Sequence, residues 1–326
     1  MKESDIRDRR VLNTYLGMVE EDCKFFFQNT GLLREISCPA CDSDSLIDEF
    51  VKSGFVYASC HDCHTLFVRN RPTFQPLIDF YARSKSTSFW VKYFFKPKEE
   101  NRRVMIFQPR AQYIVDSFGK DPGWMVGDIG AGFGIFLEEL KKKWPRSNYI
   151  AVEPSEEQAE ICGNKGLIAQ CCPFEDLKGH EETFDLLTAF ELVEHLWNPR
   201  SFFQTVYKNL KPGGFFYATM LNGQGYDIQV LWQQSKSIFP PHHLNFFNPN
   251  SLTTLLTSCG FTVLQLDTPG RLDWDIVEGM IAEEGASTER FWKMMSERVT
   301  AAGKRDFQAW LSDNKLSSHM RVFARK

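Results

Sequence analysis

The sequence of 326 residues lacks the features that mark several broad classes of protein. It has no apolar run near the ~20 residues that a membrane-spanning helix needs. Its 38 basic and 42 acidic residues give a formal net charge of −4, which gives no global reason to expect nucleic-acid binding. The densely charged residues 1–10 contain no apolar signal-peptide core. With 43% hydrophobic residues, the chain is expected to be a soluble, cytoplasmic, globular protein, and nothing in it specifies an oligomeric state.

The nine cysteines do not follow the pattern of a secreted disulfide framework. Four of them form two CxxC pairs, Cys38-Pro39-Ala40-Cys41 and Cys60-His61-Asp62-Cys63, with 18 residues between the pairs. Each pair can bring two thiolates to one point and the separator has room for a hairpin, which is typical of a tetrahedral zinc site. A redox dithiol is the alternative, but the βαβ context of a redox CxxC is missing. We predict a structural zinc ion held by Cys38, Cys41, Cys60 and Cys63.

Residues Met125–Glu153 carry the pattern that is most informative about function. A short apolar strand ends with Asp128, three glycines at alternate positions follow, and a helical run leads to a second strand that ends in Glu153. Glycine suits a turn where the backbone bends sharply and touches a ligand, and the amides at the helix start face that ligand. An acid at the end of the second strand can accept hydrogen bonds from both hydroxyls of a ribose. The segment is therefore predicted to be a nucleoside-binding βαβ unit.

The details of this turn favour one kind of nucleoside. A dinucleotide site has the spacing G-x-G-x-x-G, whereas Gly130, Gly132 and Gly134 alternate here. Asp128 lies two residues before the first glycine, where a carboxylate would repel a pyrophosphate and attract an ammonium group. S-adenosylmethionine (SAM) has an ammonium group and ribose hydroxyls but no phosphate. We predict SAM as the ligand, and the alternative is a generic strand–glycine–helix turn.

Further sequence blocks follow in order after this unit: Phe184–Phe190 with Glu191–His195, Leu210–Gly214, Phe215–Met220 and Gly260–Val263. Together they resemble the blocks of the class I SAM-dependent methyltransferases over about residues 108–266, with a final strand at 320–326. The chain looks closest to the small-molecule methyltransferases that carry a cysteine-rich segment before the SAM domain. The resemblance implies an α/β fold with a Rossmann-like, seven-stranded, mostly parallel sheet and an antiparallel last strand.

Two domains are predicted. Residues 1–103 comprise an N-terminal helix, a small zinc-ribbon-like module that contains the four cysteines, and linking helices. Residues 104–326 comprise the SAM-binding domain, in which a helical pattern at residues 272–317 indicates an insertion before the last strand.

The resemblance also assigns SAM-binding roles to residues at the ends of the strands. Asp128 is expected to bind the ammonium group, Glu153 the ribose, and Phe174 or Glu175 the adenine. Phe190 and Glu191 are expected to flank the sulfonium. The predicted SAM-binding residues are Asp128, Gly130, Ala131, Gly132, Gly134, Glu153, Pro154, Phe174, Glu175, Phe190 and Glu191.

Methyl transfer to a neutral hydroxyl needs a base, and His195, His242 and His243 are the candidates near pH 7. Glu191, Glu194 and His195 are spaced so that they would share one face of a helix. This E-x-x-E-H cluster with a later histidine resembles the divalent-metal site of the small-RNA 2′-O-methyltransferases and of the O-methyltransferases of ubiquinone synthesis. A metal-free histidine base, a metal site with Glu191, Glu194 and His195 as ligands, and no catalytic role for His195 remain open.

Aromatic and short acidic residues follow the fifth and sixth strands, at Asn222–Asp227 and Thr268–Asp275, and they favour a polyhydroxylated acceptor. We predict methyl transfer to a hydroxyl of a small molecule, such as a sugar or nucleotide-sugar. An enzyme that modifies RNA and reads it with the zinc module is the rival hypothesis, although acids interleave with the nearby basic residues. Those basic residues are Arg69, Arg71, Arg83 and Lys85. A non-enzymatic scaffold is a third hypothesis, and the intact glycine turn argues against it.

Overall fold

The structure is a computed structural model that describes residues 3–6, 8–28, 30–95 and 98–326. Its N-terminal region begins with helices α1 (Glu3–Ile6) and α2 (Arg9–Phe26). Helix α2 begins at Arg9 because the Asp8 carboxylate accepts hydrogen bonds from the amides of Arg10 and Val11. Five short strands follow: β1 (Leu33–Glu35), β2 (Leu46–Lys52), β3 (Phe55–Cys60), β4 (Leu66–Val68) and β5 (Asn70–Pro72).

Short helices connect these strands to the larger part of the molecule: α3 (Phe74–Arg83), α4 (Lys85–Phe89), α5 (Glu99–Arg102) and α6 (Gln108–Phe118). Wider helical turns at Arg103–Phe107 join α5 to α6. Helix α6 is the last helix before the strands of the larger domain.

The remaining elements are strands and helices that mostly alternate. They are β6 (Met125–Ile129), α7 (Ile135–Lys143), β7 (Asn148–Val152), α8 (Glu156–Asn164), β8 (Ile168–Gln170), β9 (Phe184–Phe190), α9 (Pro199–Asn209), β10 (Leu210–Leu221), α10 (Tyr226–Leu231), β11 (Asn245–Phe246), α11 (Pro249–Ser258), β12 (Thr262–Asp267), α12 (Asp273–Glu284), α13 (Arg290–Arg298), α14 (Ala301–Asp313) and β13 (His319–Arg325). The exceptions are that β9 follows β8 without an α-helix between them and that three helices in succession come before the last strand.

Seven of these strands form the central sheet, in the order β12-β13-β10-β9-β6-β7-β8. Strand β13 is antiparallel to both of its neighbours, and the pairs of β6 with β7 and β9, β7 with β8, and β9 with β10 are parallel. This arrangement confirms the predicted Rossmann-like sheet with an antiparallel last strand. Buried apolar residues cover both faces of the sheet, because successive residues of a strand belong alternately to two core clusters.

The insertion between β12 and β13 consists of α12, α13 and α14, as the helical pattern predicts. The buried Asp273 carboxylate connects the start of the insertion to its end. This carboxylate accepts hydrogen bonds from the Ser317 hydroxyl, the Ser318 amide and the Gln308 side chain. Within the described ranges, no helix combines the length and the apolar character needed to cross a membrane.

The N-terminal region contains a small antiparallel sheet of order β11-β4-β3-β2. Cys60 ends β3, and Cys38, Cys41 and Cys63 lie in the turns beside the sheet. Strands β2 and β3 form the hairpin that the spacing between the two CxxC pairs predicts. The fourth strand, β11, comes from a loop of the larger domain and pairs with β4 through Asn245 and Phe246. The predicted domain boundary at residues 103 and 104 stays a prediction.

Candidate functional site

The three glycines of the predicted nucleoside turn all adopt left-handed backbone conformations. Their φ angles are +68° at Gly130, +55° at Gly132 and +69° at Gly134, and residues other than glycine rarely adopt such values. A Cβ at Gly134 would also lie 2.8 Å from Leu167 Cδ1. Glycine is therefore required here by the course of the backbone, and at Gly134 also by the packing of α7 against the residues before β8.

Asp128 lies at the end of β6 and is 3% exposed. Its carboxylate accepts a hydrogen bond of 2.6 Å from the Thr188 hydroxyl on the adjacent strand β9. Burial raises the pKa of Asp128 to about 7, although the Thr188 hydrogen bond and the nearby Arg110 guanidinium oppose the rise. A buried carboxylate with a raised pKa is suited to a cationic ligand, because the cation would compensate the carboxylate for its lost hydration.

Glu153 directly follows β7 and brings the second acid to the same turn. Its carboxylate accepts hydrogen bonds from the amide of Gly132 (2.9 Å) and from the amide of Ser155 (3.0 Å). Burial raises its pKa, and these two amides oppose the rise. The structure therefore places Asp128, the glycine turn and Glu153 together at one edge of the sheet, as the sequence pattern predicts.

The other predicted SAM-binding residues lie around this edge with different exposure. Phe174 is buried and its ring packs 5.9 Å from that of Phe202, whereas Glu175 and Pro154 are exposed. Ala131 is partly exposed within the turn. The contacts of these side chains with adenine stay predictions, and Phe174 contributes chiefly to the core.

Glu191 does not lie on a helix, so the predicted helical face with Glu194 and His195 does not form. Its φ angle is +52°, and the single 3₁₀ turn that follows covers only Val193–His195. Its carboxylate instead accepts hydrogen bonds from Arg110 (2.6 Å) and from the Thr219 hydroxyl (2.7 Å), and it pairs with His319 (3.1 Å).

Charged residues that the sequence pattern does not predict surround Glu191. Burial opposes its charge, but His319 and Arg110 hold the pKa of Glu191 well below its usual range. Burial also opposes the charge of His319, yet Glu191 raises the pKa of His319 to about 9. Arg110 lies on the helix before β6 and His319 begins the last strand, so the topology of the resembled fold could have indicated both residues.

A second group, which we call the Glu-His-His cluster, consists of Glu194, His195 and His243. One ligand atom from each residue lies within 4.8 Å of the other two. The Nδ1 atom of His195 is 2.8 Å from the carbonyl oxygen of His242, and the Nδ1 atom of His243 is 2.6 Å from that of Ser237. Each Nδ1–H therefore donates to a carbonyl, which leaves both Nε2 atoms as acceptors.

The electrostatics of this cluster favour neutral imidazoles. Burial lowers the pKa of His195 to about 4 and holds that of His243 well below its usual value. Burial, together with the charge of Glu191, raises the pKa of Glu194 to about 8. The Oε2 atom of Glu194 is buried and finds no hydrogen-bond partner among the described residues. Such an orphaned carboxylate beside two free Nε2 atoms is a donor set that suits a divalent cation.

His242 does not join the cluster, although it was one of the three predicted candidates. Its ring is buried among aromatic rings, at 5.1 Å from Phe80, 5.3 Å from Tyr81 and 5.5 Å from Phe239. Its ring lies 6.5 Å from that of His195. Of the two neighbouring histidines, His243 is therefore the one that faces His195.

The four cysteines meet as the two CxxC pairs predict. The Sγ–Sγ distances are 3.4 Å for Cys38–Cys63, 3.6 Å for Cys41–Cys60 and 3.5 Å for Cys41–Cys63. Sulfur atoms bound to one tetrahedral zinc ion at ~2.3 Å would be separated by about 3.8 Å, so a small expansion accommodates the ion. His61 and His64 lie outside this group.

Two of the four basic residues near this module, Arg69 and Arg71, are not available as a nucleic-acid surface. Arg69 forms ion pairs of 2.8 Å with both Glu35 and Asp48. Arg71 is only 1% exposed and its guanidinium is bonded inside the protein. These contacts weaken the rival hypothesis of an RNA-reading module.

Residues that were expected near an acceptor, after β10 and β12, have structural contacts instead. Asn222 is buried and donates to the carbonyl oxygens of Lys315 and Ser317. Tyr226 packs with Trp274 at 6.4 Å, and Asp273 fastens the insertion. The case for a polyhydroxylated acceptor loses this support.

Comparisons with known proteins agree with the fold. Residues 109–266, just under half of the chain, match the methyltransferase domain family. The ubiquinone biosynthesis O-methyltransferase of Rhizobium rhizogenes is 28% identical over 141 residues, covering 39% of this chain and 56% of that protein. The human mitochondrial protein of the same name is 26% identical over 157 residues, covering 43% of this chain and 42% of that protein. The chain thus spans about half the length of these curated relatives.

A solved structure shows the same architecture. It is a chain from the Haloferax volcanii complex between the Trm112 methyltransferase activator and a candidate methyltransferase. Its TM-score is 0.51 at 16% identity, and the alignment covers 72% of this chain and 95% of that chain. At this identity the likeness establishes the fold.

Proposed function

We propose that the protein binds SAM and transfers its methyl group to an oxygen of a small polar acceptor, since residues 109–266 match the methyltransferase domain family. The observation that carries the proposal is the meeting of Asp128, the glycine turn and Glu153 at the ends of adjacent parallel strands. SAM supplies an activated methyl group when bound, so the protein has mainly to orient the two reactants. Orientation alone can lower a barrier by roughly 7–11 kcal/mol.

The ammonium group, the carboxylate and the ribose of SAM each have a complementary side chain at this edge of the sheet. We assign the ammonium group to Asp128 and the ribose hydroxyls to Glu153. Arg110 was not predicted from the sequence, but it lies close enough to lower the pKa of Asp128 while one of its nitrogens binds Glu191. Its other N–H groups are suited to the carboxylate of SAM.

For the acceptor side, we propose that the Glu-His-His cluster binds a divalent cation. The fit rests on the orphaned Glu194 oxygen and on the two Nε2 atoms left free by the Nδ1–H bonds of His195 and His243. Such an ion, when bound, lowers the pKa of an acceptor hydroxyl. A metal-free base is the weaker alternative, because a histidine with a pKa of about 4 is a poor base at neutral pH.

The acceptor atom is proposed to be oxygen for two reasons. The curated relatives are named O-methyltransferases, and a hard divalent cation at a carboxylate-containing cluster prefers oxygen ligands. A sugar or nucleotide-sugar stays one predicted acceptor among small hydroxylated molecules.

The four-cysteine group is proposed to hold a structural zinc ion. All four donors are thiolates, so the coordination sphere would be closed, and no open position would remain for catalysis.

The proposal is tested by incubating the protein with methyl-labelled SAM and a panel of sugars, nucleotide-sugars and phenols. We expect label transfer that EDTA abolishes and that Mg²⁺ or Mn²⁺ restores. Glu194→Gln should lower the rate by roughly 10- to 100-fold or more, because it removes one ligand. The exposed Glu181→Gln, which only loses a surface ion pair with Lys208, is the control.

Different failures of this assay have different meanings. Transfer that EDTA leaves unchanged, in protein whose zinc content is also unchanged, would contradict the divalent cation and favour the histidine base. Failure of S-adenosylhomocysteine (SAH) to bind would contradict the proposed activity as a whole.

A further inference from the structure

Arg71 is a buried arginine of the cysteine module whose guanidinium is bound by backbone carbonyls instead of an acid. It is 1% exposed, and its Nε donates to the carbonyl oxygen of Val68 at 3.1 Å. Nη1 donates to Trp197 at 2.7 Å and more weakly to Leu196 at 3.4 Å. No carboxylate among the described residues pairs with Arg71.

The other terminal nitrogen reaches a second segment. Nη2 of Arg71 donates to the carbonyl oxygen of Leu244 at 3.3 Å and to the side-chain oxygen of Asn245. Leu196 directly follows His195 in the sequence, and Leu244 directly follows His243. One guanidinium therefore binds the backbone immediately after both histidines of the Glu-His-His cluster.

Neighbouring hydrogen bonds join the same two segments to each other. The side-chain amide of Asn245 donates to the carbonyl oxygens of Val193 (3.3 Å) and Leu196 (2.8 Å). The amide of Leu244 donates to the carbonyl oxygen of Glu194 at 2.8 Å. These bonds connect the 3₁₀ turn that carries Glu194 and His195 to the loop that carries His243.

The cysteine module is the support for this junction. The amide of Val68 on β4 donates to the Leu244 carbonyl at 2.9 Å, and the Tyr57 hydroxyl on β3 donates to the His243 carbonyl at 3.3 Å. The side-chain amide of Asn248, two residues after β11, donates to the carbonyl oxygens of Cys63 (2.8 Å) and His64 (3.0 Å). The second cysteine knuckle is thus bonded to the chain that leaves the histidine loop.

We propose that Arg71 is a positioning residue, through which the cysteine module fixes the relative placement of His195 and His243. The rigid planar fork of a guanidinium can serve two separate backbone segments at once, whereas a lysine ammonium has a single point of charge. A buried arginine that serves only carbonyl and amide oxygens is costly to retain, and a fixed geometry of the cluster explains why it is present. The inference rests on the proposed function only for the catalytic meaning of the cluster.

The test compares Arg71→Met with Arg69→Met. Arg69 lies two residues earlier in the same module, but its ion pairs with Glu35 and Asp48 stay inside the N-terminal region. The readout is the hydrogen exchange of the Nδ1–H groups of His195 and His243, followed by NMR in protein labelled with ¹⁵N-histidine. Single His195→Gln and His243→Gln variants assign the two signals.

We expect both Nδ1–H groups to be protected in the wild type and in Arg69→Met. In Arg71→Met they should exchange at least about tenfold faster, because two or more hydrogen bonds of the junction are lost. The affinity for SAH should change by no more than about twofold, since the glycine turn shares no partner with Arg71. Equal protection of both signals in the wild type and Arg71→Met would overturn the inference.

Two further variants keep the test decisive if Arg71→Met does not fold. Arg71→Lys retains the charge but not the fork, so faster exchange of both signals is expected. Asn245→Asp gives Arg71 a counter-ion and removes the donations to Val193 and Leu196, so His195 should lose protection more than His243. Wild-type exchange at both histidines in these two variants would also overturn the inference. None of these measurements needs an acceptor, so they separate failure of the inference from failure of the proposed function.

Discussion

Asp128 and Glu153 are buried carboxylates whose strands, β6 and β7, run side by side and in parallel. Burial raises the pKa of both, and each keeps hydrogen bonds that oppose the rise. A protein retains two such costly groups next to each other where a ligand completes their interactions. A cation for one and a pair of hydroxyls for the other meet this need.

If Asp128 binds the ammonium group as proposed, the pKa of Asp128 should make the affinity for SAH depend on pH. Burial raises this pKa to about 7 in the empty site, and a bound ammonium group would lower it again, so binding releases a proton. SAH should therefore bind with constant affinity above about pH 8 and progressively more weakly below pH 7. The loss should approach about tenfold per pH unit at the acid end. Calorimetric titrations between pH 5.5 and 8.5 measure it.

Asp128→Asn is the control for this dependence. It should bind SAH more weakly at pH 8 and show little further change down to pH 6, because the titrating carboxyl is gone. A wild-type affinity that does not change across this range would contradict the role of Asp128.

The acidic residue Glu191 shows where reasoning from spacing fails at this scale. Spacing of i, i+3 and i+4 predicts a shared face only if the backbone is helical. The left-handed conformation of Glu191 ends that regularity before the 3₁₀ turn begins. Glu194 and His195 still meet His243, but through hydrogen bonds between segments almost 50 residues apart that no local pattern reveals.

At the scale of elements, local sequence patterns predict the helices, strands and turns that form through contacts between residues close in the sequence. The β2–β3 hairpin between the two CxxC pairs, the βαβ unit at Met125–Val152 and the helices of the insertion follow from periodicity and turn residues. Strand β11 was not predicted, because it has two residues and exists only through its pairing with β4. Its contribution depends on contacts between distant parts of the chain.

Removal of one cysteine ligand should destabilise both the cysteine module and the loop that carries His243. We expect the wild-type protein to contain about one zinc ion per chain and Cys38→Ser to contain far less. Because zinc binding contributes on the order of 10 kcal/mol to the folding of such modules, the variant should unfold at a lower temperature. Elemental analysis and thermal unfolding check this.

Cys171→Ser is the matched control, since Cys171 is exposed and lies outside the four-cysteine group. It should keep the zinc content and the unfolding temperature of the wild type. Zinc-free wild-type protein with an unchanged unfolding temperature would contradict the structural zinc site.

For the whole molecule, the sequence predicts the fold of the larger domain better than it predicts how the cysteine module packs against that domain. The class I strand order follows from the βαβ pattern and the resemblance, and the structure has it. How the cysteine module sits on the larger domain depends on buried polar contacts such as those of Arg71 and Asn248. In a sequence these residues look like surface residues, so sequence alone places Arg71 among candidate nucleic-acid contacts.

The measurement that tests the central claim most directly is calorimetric titration of SAH into the wild type, Glu153→Ala and the exposed control Glu156→Ala at pH 8. We predict one SAH per chain, an affinity roughly 10- to 150-fold weaker in Glu153→Ala, and no change in Glu156→Ala. Absence of SAH binding, or tighter binding of NADH than of SAH by the wild type, would contradict the account.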